Sequence, residues 1–414
     1  MELFKYVLYL YACAINGEKP ETVKEVDIRK IYSIAVKHGI WNMVFLSVQK
    51  LYADDTGVFN LTEEIYKKME AGFKLSVFKN LKKWNALSEI ISVLHKYGVN
   101  VCLLKGMTIG AFYSEPYART TTDIDLLIDE RLEKIAGKAM ESIGFELKYR
   151  WEDSHHLKCV RPDIGLVELH IQLYDHEVLD VWFDAAKNKE YKFADFSYDT
   201  IKCKQLEYTE ALIFNFLHFV KHYINGLVTI KHIMDIMVFL KHYRAEIDFG
   251  RINDVVEKLS YGKLFRVIKC IGVMYLGFTE EDLCEDESVK DYKELAKAVL
   301  ADLYKYASTD TASIYNVYTE SLQKQTPDCK QKKSDGTSKF KKIGRLLWAD
   351  KRRMLELYSV LEKHMWLMPF LQIHRIFKRL FNLKAYTNKE KKKINKEQNN
   401  AQDRIQLIEK LGIM

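Results

Sequence analysis

The spacing of apolar positions changes twice along this chain, and each change predicts a change of structure. Through the first 95 residues apolar side chains recur with the period of a helix. The clearest helix is expected to run from about Thr62 to about Lys96, with Thr62 as its N-cap and with Glu63 and Glu64 in its first turn. The turn-forming stretch "YGVN" at 97–100 then ends the helical pattern.

Between Val99 and about Ile171 the period shortens towards that of strands. Five segments predict strands, and they occur in the order "VNVCLLKG", "DIDLLID", "FELKYRW", "HHLKCVR" and "GLVELHIQL". A helix is expected at "ERLEKIAGKAMESIG", between the second and third of them. The pattern therefore predicts an α+β fold with a small mixed sheet that helices flank on both sides along the chain.

Helical spacing returns after the strands. The stretch "TEALIFNFLHFVKHYINGLVTIKHIMDIMVFLKHY" at 209–243 predicts two helices separated by a turn at Asn225-Gly226. Helical patterning then continues to about Tyr306, and a polar stretch follows it. The expected organisation is a helical N-terminal region at 1–95, the sheet core at 96–200, a helical domain at 201–306, a linker or loop at 307–342, a helical C-terminal segment at 343–388 and a basic tail at 389–414.

Composition adds little that is unusual. Apolar residues make up 48% and charged residues 29% of the 414 residues, which is ordinary for a globular protein. No apolar run approaches the ~20 residues that span a bilayer, so we expect a cytoplasmic protein without a transmembrane segment, with peripheral attachment to a membrane as the alternative. The seven cysteines are scattered without a Cys-x-x-Cys pair, which predicts reduced thiols.

The net charge of +7 is unevenly placed, because basic runs crowd the stretch from Lys330 to Lys396. Such runs are usually solvated faces, and the functional alternative is an anionic partner, either nucleic acid or an acidic membrane surface. Within this stretch "WLMPFLQIHRIFKRLF" favours a core-packing helix over an interfacial amphipathic one.

One stretch, "LLKGMTIGAFYSEPYARTTTDIDLLID" at 103–129, sets charged residues beside segments that must be buried. Asp123 and Asp125 share one face of a strand, and two carboxylates so close suit a divalent cation, although an acidic strand face can also simply meet water. Lys105 and Gly106 fall at a strand-to-helix turn, where backbone N–H groups favour phosphate.

Two further charged residues belong with this stretch. Glu168 lies on a later apolar strand and can join the aspartates if the two strands are neighbours. His170 is expected to point away from Glu168, so it is a weaker candidate for the site than the three acids. Arg119 suits phosphate or carboxylate recognition, and a structural ion pair is its alternative.

The order "LLKG … R … DIDLLI … VELH", followed by "EALIFNFLHFVKH … IKHIMDI", resembles the uncharacterised nucleotidyltransferase family of the polymerase-beta-like superfamily, over roughly residues 80–245. The resemblance implies a minimal nucleotidyltransferase sheet in which Asp123, Asp125 and Glu168 are catalytic and hold two Mg²⁺ ions, with Mn²⁺ as a substitute. It also implies transfer of a nucleoside monophosphate from an NTP to a hydroxyl, with pyrophosphate leaving.

The same resemblance implies that Lys105, Gly106 and Arg119 contact the nucleotide. One departure concerns the first turn, where Lys105-Gly106-Met107 stands in place of the Gly-Ser or Gly-Gly of the wider superfamily. In the wider superfamily the small polar residue of this turn contacts the triphosphate.

A second group of titratable residues lies on the two helices after the sheet. His218 and His222 are four residues apart on the first helix, and His232 and Asp235 lie on the second. Such a set could bind a metal, while packed histidines are the ordinary explanation. The resemblance adds a substrate-lining role for these four residues.

The acceptor is not encoded in any readable feature, and a small molecule, a glycan precursor and a protein all remain open. A different class of function is a catalytically silent adaptor in a biosynthetic assembly, although the presence of all three acids argues against silence. A third is an RNA-binding protein that uses the basic C-terminal region.

Overall fold

The computed structural model describes residues 1–23, 26–148, 155–174, 176–183, 191–224, 227–283, 289–306, 354, 358–362, 364–383 and 403–413. Two units divide the chain. The first comprises Met1–Arg150, Ser154–Ala312 and Leu407–Ile413, and the second comprises Trp151–Asp153, Ser313–Gln406 and Met414. The expected linker at 307–342 lies outside the described residues, as does most of the expected tail at 389–414. The domain boundaries stay predictions.

Helices precede the sheet in the first unit, as the apolar period predicts. They are α1 (Glu2–Asn16), α2 (Ile28–Lys37), α3 (Trp41–Asp54) and α4 (Glu63–Lys96). The side chain of Thr62 accepts a hydrogen bond from the backbone N–H of Ile65 at 3.4 Å, which confirms it as the N-cap of α4.

Seven strands form the sheet in the part of the chain that the structure describes. They are β1 (Cys102–Leu103), β2 (Asp123–Leu127), β3 (Glu146–Leu147), β4 (His156–Arg161), β5 (Gly165–His170), β6 (Phe193–Tyr198) and β7 (Ile201–Leu206), in the spatial order β3-β4-β5-β2-β1-β7-β6. Strand β2 pairs in parallel with β5 and antiparallel with β1, and β1 pairs in parallel with β7. The sheet is therefore mixed, and the predicted α+β fold is confirmed.

All five predicted strands are present, but the hairpin of β6 and β7 was not predicted. Its two strands pair antiparallel at one edge of the sheet, where Phe193 is exposed and several positions carry charge. An edge hairpin with few buried positions gives only a weak apolar alternation.

The remaining described helices of the first unit are α5 (Lys105–Gly110), α6 (Glu133–Ser142), α7 (His176–Phe183), α8 (Tyr208–Ile224), α9 (Ile230–His242), α10 (Phe249–Lys258), α11 (Gly262–Tyr275) and α12 (Lys293–Tyr306). Among them α5, α6 and α8 contact strands of the sheet. The predicted helices between β2 and β3 and at 209–243 are confirmed, while the expected turn at Asn225-Gly226 lies outside the described residues.

The sheet separates two apolar cores, and this separation positions the charged residues. On one face Ile124, Leu126 and Val167 pack in a core with side chains of α4 and α6. A second core contains side chains of α8, α9 and α11 together with Leu127. Because successive strand residues point to opposite faces, Asp125 lies on the face turned away from the first core.

The second unit contains α13 (Met368–Leu383). Met354 and Leu361 are buried there, and Leu371 packs against them. Trp366 and Phe370 are exposed. Among the described residues of the whole chain, no helix has the length and apolar character that a membrane span requires.

Candidate active site

Asp125 and Glu168 lie side by side in the sheet. Their Cα atoms are register partners in the parallel pair of β2 and β5. The Asp125 side chain is 2% exposed and that of Glu168 is 13% exposed. The prediction that Glu168 joins the aspartates required β2 and β5 to be neighbouring strands, and they are.

Lys105 joins this site from the end of β1. Its Nζ lies 3.1 Å from Oδ1 of Asp125 and 2.9 Å from Nε2 of His218 on α8. The backbone of Lys105 has φ 30°, in the region that favours glycine, so the chain is strained at this residue. The expected strand-to-helix turn is present, and it aims the ammonium group at a buried carboxylate.

His170 belongs to the site, contrary to the prediction that it points away from Glu168. Its Nε2 donates a hydrogen bond to Oδ1 of Asp125 at 2.9 Å and lies 3.7 Å from Oε2 of Glu168. The physical reason is simple: residues two apart on a strand share a face, so His170 must follow Glu168. The prediction was wrong because it placed two residues that are two positions apart on opposite faces of the strand.

Two side chains of β4 complete the surroundings of Glu168. Nε2 of His156 lies 3.5 Å and Nζ of Lys158 lies 3.6 Å from Oε1 of Glu168. The register of β4 and β5, which pairs Lys158 with Glu168, brings them there. Sequence reasoning singled out neither as a partner of Glu168, although the predicted order of strands made β4 and β5 neighbours along the chain.

The two carboxyl groups differ in protonation behaviour. Burial alone would raise the pKa of Asp125, but the Lys105 ammonium and the bond from His170 lower it to about 2. Burial and the charge of Asp125 raise the pKa of Glu168 above its usual range. Neighbouring carboxyl groups whose pKa values are pushed apart are the arrangement from which acid and base roles arise.

Oxygen and nitrogen atoms converge here in a way that fits a divalent cation. Asp125, Glu168 and His170 each offer one ligand atom, and the three atoms lie within 4.8 Å of one another. Asp123, two residues earlier on β2, is half-buried and accepts a hydrogen bond from Thr122 at 2.9 Å. This donor set, mostly carboxylate oxygen, suits Mg²⁺ or Mn²⁺.

Arg119 forms a buried ion pair with Asp235, which is the structural alternative to a phosphate contact. Its Nε and Nη2 donate to the two oxygens of Asp235 at 2.8 and 2.6 Å, and Tyr113 donates to the same carboxylate at 2.7 Å. Arg119 and Asp235 are 4% and 8% exposed. These contacts favour a structural role over the predicted phosphate contact of Arg119 and the predicted substrate-lining role of Asp235.

Gly106 follows Lys105 directly in α5. A Cβ added there would meet Nη1 of Arg119 at 3.7 Å, which is ordinary van der Waals contact. The described neighbours therefore leave room for a side chain at Gly106, and its nucleotide-binding role stays a prediction.

The three histidines of the helical pair do come together. Lys105 connects His218 to the carboxylates, Nε2 of His222 lies 3.2 Å from Nε2 of His218, and His232 offers a ring nitrogen within 4.8 Å of both. The predicted substrate-lining role of these residues is not tested by this geometry, which places them beside the acids.

A cavity of about 990 Å³ lies elsewhere, at the other end of β1 and β2, and its lining includes Cys102, Ile128 and Cys203. None of the three acids lines it. This cavity is therefore separate from the site formed by the acids.

Comparison with known proteins gives one family and one structure. A family model described as uncharacterised nucleotidyltransferase matches residues 24–270. A crystal structure of an antigenic nucleotidyltransferase-like protein from Paracoccidioides brasiliensis is similar at 16% identity, over 42% of this chain and 85% of that chain, with a TM-score of 0.28. None of the curated proteins matches the chain.

Proposed function

Because the chain belongs to the uncharacterised nucleotidyltransferase family, we propose that it moves a nucleoside monophosphate from an NTP to an acceptor hydroxyl in a Mg²⁺-dependent reaction. Asp123, Asp125 and Glu168 would hold the cation. The observation that carries the proposal is the pairing of Asp125 with Glu168 across parallel strands, with oxygen ligands from both in reach of one ion.

The reaction exchanges one phosphorus–oxygen bond for another. The acceptor oxygen forms a bond to the α-phosphorus, the bond from the α-phosphorus to the bridging oxygen breaks, and pyrophosphate leaves with that electron pair. Bound Mg²⁺ would neutralise charge on the triphosphate and lower the pKa of the attacking hydroxyl. Glu168, or a water that it orients, would accept the hydroxyl proton.

The other residues of the site position the charges. Lys105, whose pKa stays raised beside Asp125 despite burial, remains an ammonium that can turn towards the triphosphate. His170 holds Asp125 in place through its hydrogen bond. Asp125 stays ionised at neutral pH, as a cation ligand requires.

The experiment is a screen of labelled NTPs with Mg²⁺ or Mn²⁺ against pools of hydroxyl-bearing small molecules, glycan precursors and proteins. Wild type is compared with Asp125→Ala, and pyrophosphate release is followed in parallel. Label transfer that Asp125→Ala abolishes supports the proposal. Transfer that survives in Asp125→Ala contradicts the assigned site, and binding to partner proteins without any transfer would favour the adaptor instead.

A further inference from the structure

Three imidazole rings from α8 and α9 form a cluster beside the carboxylates but separate from them. His218 and His222 come from α8, and His232 comes from α9. The ring centroids are 4.3 Å apart for the first two, and His232 lies 6.1 and 5.3 Å from them. All three residues are half-buried, so an ion from solution can reach them.

The spacing of the nitrogen atoms matches a tetrahedral metal site. Zinc–nitrogen bonds of about 2.0–2.1 Å place two ligand atoms about 3.4 Å apart along the edge of a tetrahedron. Nε2 of His218 and Nε2 of His222 are 3.2 Å apart. Two histidines four residues apart on one helix face are also a recurrent zinc-binding arrangement. The separation of these two nitrogens is therefore close to that of two ligands on one tetrahedral zinc ion.

His232 is held so that it can supply the third ligand. Its Nδ1 lies 3.2 Å from the hydroxyl and 3.3 Å from the backbone carbonyl oxygen of Thr229, at the start of α9. Metal-binding histidines usually donate the N–H of the nitrogen that does not bind the metal to such an oxygen. An Nδ1–H donated to Thr229 leaves the lone pair of Nε2 for an ion, and it replaces the hydrogen bond that Nδ1 otherwise accepts from the Thr229 backbone N–H.

Charges of both signs surround the cluster. Asp123 and Asp125 act on His222 and attract a cation, whereas Lys105 and Lys221 oppose it. The closest charge is the Lys105 ammonium, 2.9 Å from Nε2 of His218. It must turn aside when an ion binds, and it therefore weakens the site without blocking it.

We propose that His218, His222 and His232 bind one divalent transition-metal ion of the zinc class, with a fourth position left for water or a phosphate oxygen. Imidazole nitrogens suit Zn²⁺ and Co²⁺, whereas Mg²⁺ prefers oxygen ligands. This site is distinct from the carboxylate site and does not depend on the proposed transfer reaction.

The test uses the full chain, treated with a chelator and then titrated with Zn²⁺ or Co²⁺ in excess Mg²⁺. Wild type should bind one Zn²⁺ per chain, and Co²⁺ should give the visible absorption of a tetrahedral ion. His222→Ala should lower the Zn²⁺ affinity at least about 100-fold. His95→Gln, which changes an exposed histidine near the end of α4, should not lower it.

Three further variants separate a metal site from a packed cluster. His222→Cys should keep Zn²⁺ binding, because a thiolate can replace the imidazole. Lys105→Met should tighten binding at least about tenfold by removing a nearby positive charge. Glu168→Gln should bind Zn²⁺ like wild type, which separates this site from the carboxylate site. Absence of stoichiometric binding in wild type, or equal binding in wild type and a folded His222→Ala, overturns the proposal.

Discussion

Asp125 and Glu168 occupy matching positions on two parallel strands, yet their surroundings shift the pKa values of their carboxyl groups in opposite directions. Lys105 and His170 both contact Oδ1 of Asp125, whereas His156, Lys158 and His170 lie 3.5–3.7 Å from the oxygens of Glu168. The sheet thus sets a carboxylate that is ionised at neutral pH beside one that binds a proton more readily. This pairing is the feature from which the proposed chemistry follows.

Removing the hydrogen bond from His170 should weaken the cation site. His170→Gln is expected to lower the Mn²⁺ affinity about 10–100-fold, since groups that orient metal ligands have effects of this size. Mn²⁺ binding is measured by electron paramagnetic resonance, with His95→Gln as the control. Equal affinity in His170→Gln and the control would show that the histidine plays no part in holding Asp125.

Lys105→Met should weaken the binding of an NTP. A hydrogen bond to a charged group contributes about 1.5–3 kcal/mol, which corresponds to an affinity loss of about 10–100-fold. The measurement is calorimetric titration with a non-hydrolysable NTP analogue in the presence of Mg²⁺. Lys202→Met, an exposed change on β7, is the matched control. If both variants bind the analogue as wild type does, Lys105 does not contact the triphosphate.

Arg119 and Asp235 should matter for stability more than for nucleotide binding. Breaking a buried ion pair by removing one partner costs about 3–5 kcal/mol of the free energy of unfolding. Arg119→Met and Asp235→Asn should each approach this loss, and the double variant should lose less than the sum. Urea unfolding of the three variants measures it. A loss of NTP affinity without a loss of stability in Arg119→Met would instead support the phosphate contact.

His38 should make the stability of the protein depend on pH. It is 1% exposed and stacks on Phe4 at 4.7 Å, and burial lowers its pKa from 6.5 to about 4. Between these pH values the unfolded chain binds more protons, so this contribution to stability is complete above pH 6.5 and is lost as the pH falls through 4.

The test compares urea unfolding of wild type and His38→Gln over this pH range. One titrating group changes the free energy of unfolding by up to about 1.4 kcal/mol per pH unit. The slope in His38→Gln should be smaller by up to that amount. Identical slopes would mean that His38 keeps its ordinary pKa in the folded protein.

Much of the fold follows from local sequence. The cap at Thr62 and the period of the helix after it are local signals, and the structure contains both. The five predicted strands, which include those of Asp125 and Glu168, are also marked locally, as short apolar segments separated by polar or turn-forming residues. The hairpin of β6 and β7 is not marked in this way, because it lies at one edge of the sheet and carries charged side chains at several positions.

The site could be predicted only in part. Strand alternation was enough to place Asp123 and Asp125 on one face, and the same rule, applied correctly, would have added His170. The contact of Lys105 with His218 and the pairing of Arg119 with Asp235 join residues more than a hundred positions apart. These residues meet through the tertiary packing of α8 and α9, so a local sequence pattern cannot predict the two contacts.

Binding of Mn²⁺ together with an NTP analogue that cannot be cleaved tests the role of the acids most directly. Electron paramagnetic resonance counts the bound Mn²⁺ in wild type, Asp125→Asn, Glu168→Gln and the control Asp195→Asn, which changes an exposed carboxylate on β6. We expect wild type and the control to bind alike, and each of the other two variants to lose at least about 100-fold in affinity. If Asp125→Asn and Glu168→Gln, shown to be folded, bind Mn²⁺ and nucleotide as wild type does, the cation site does not lie between β2 and β5.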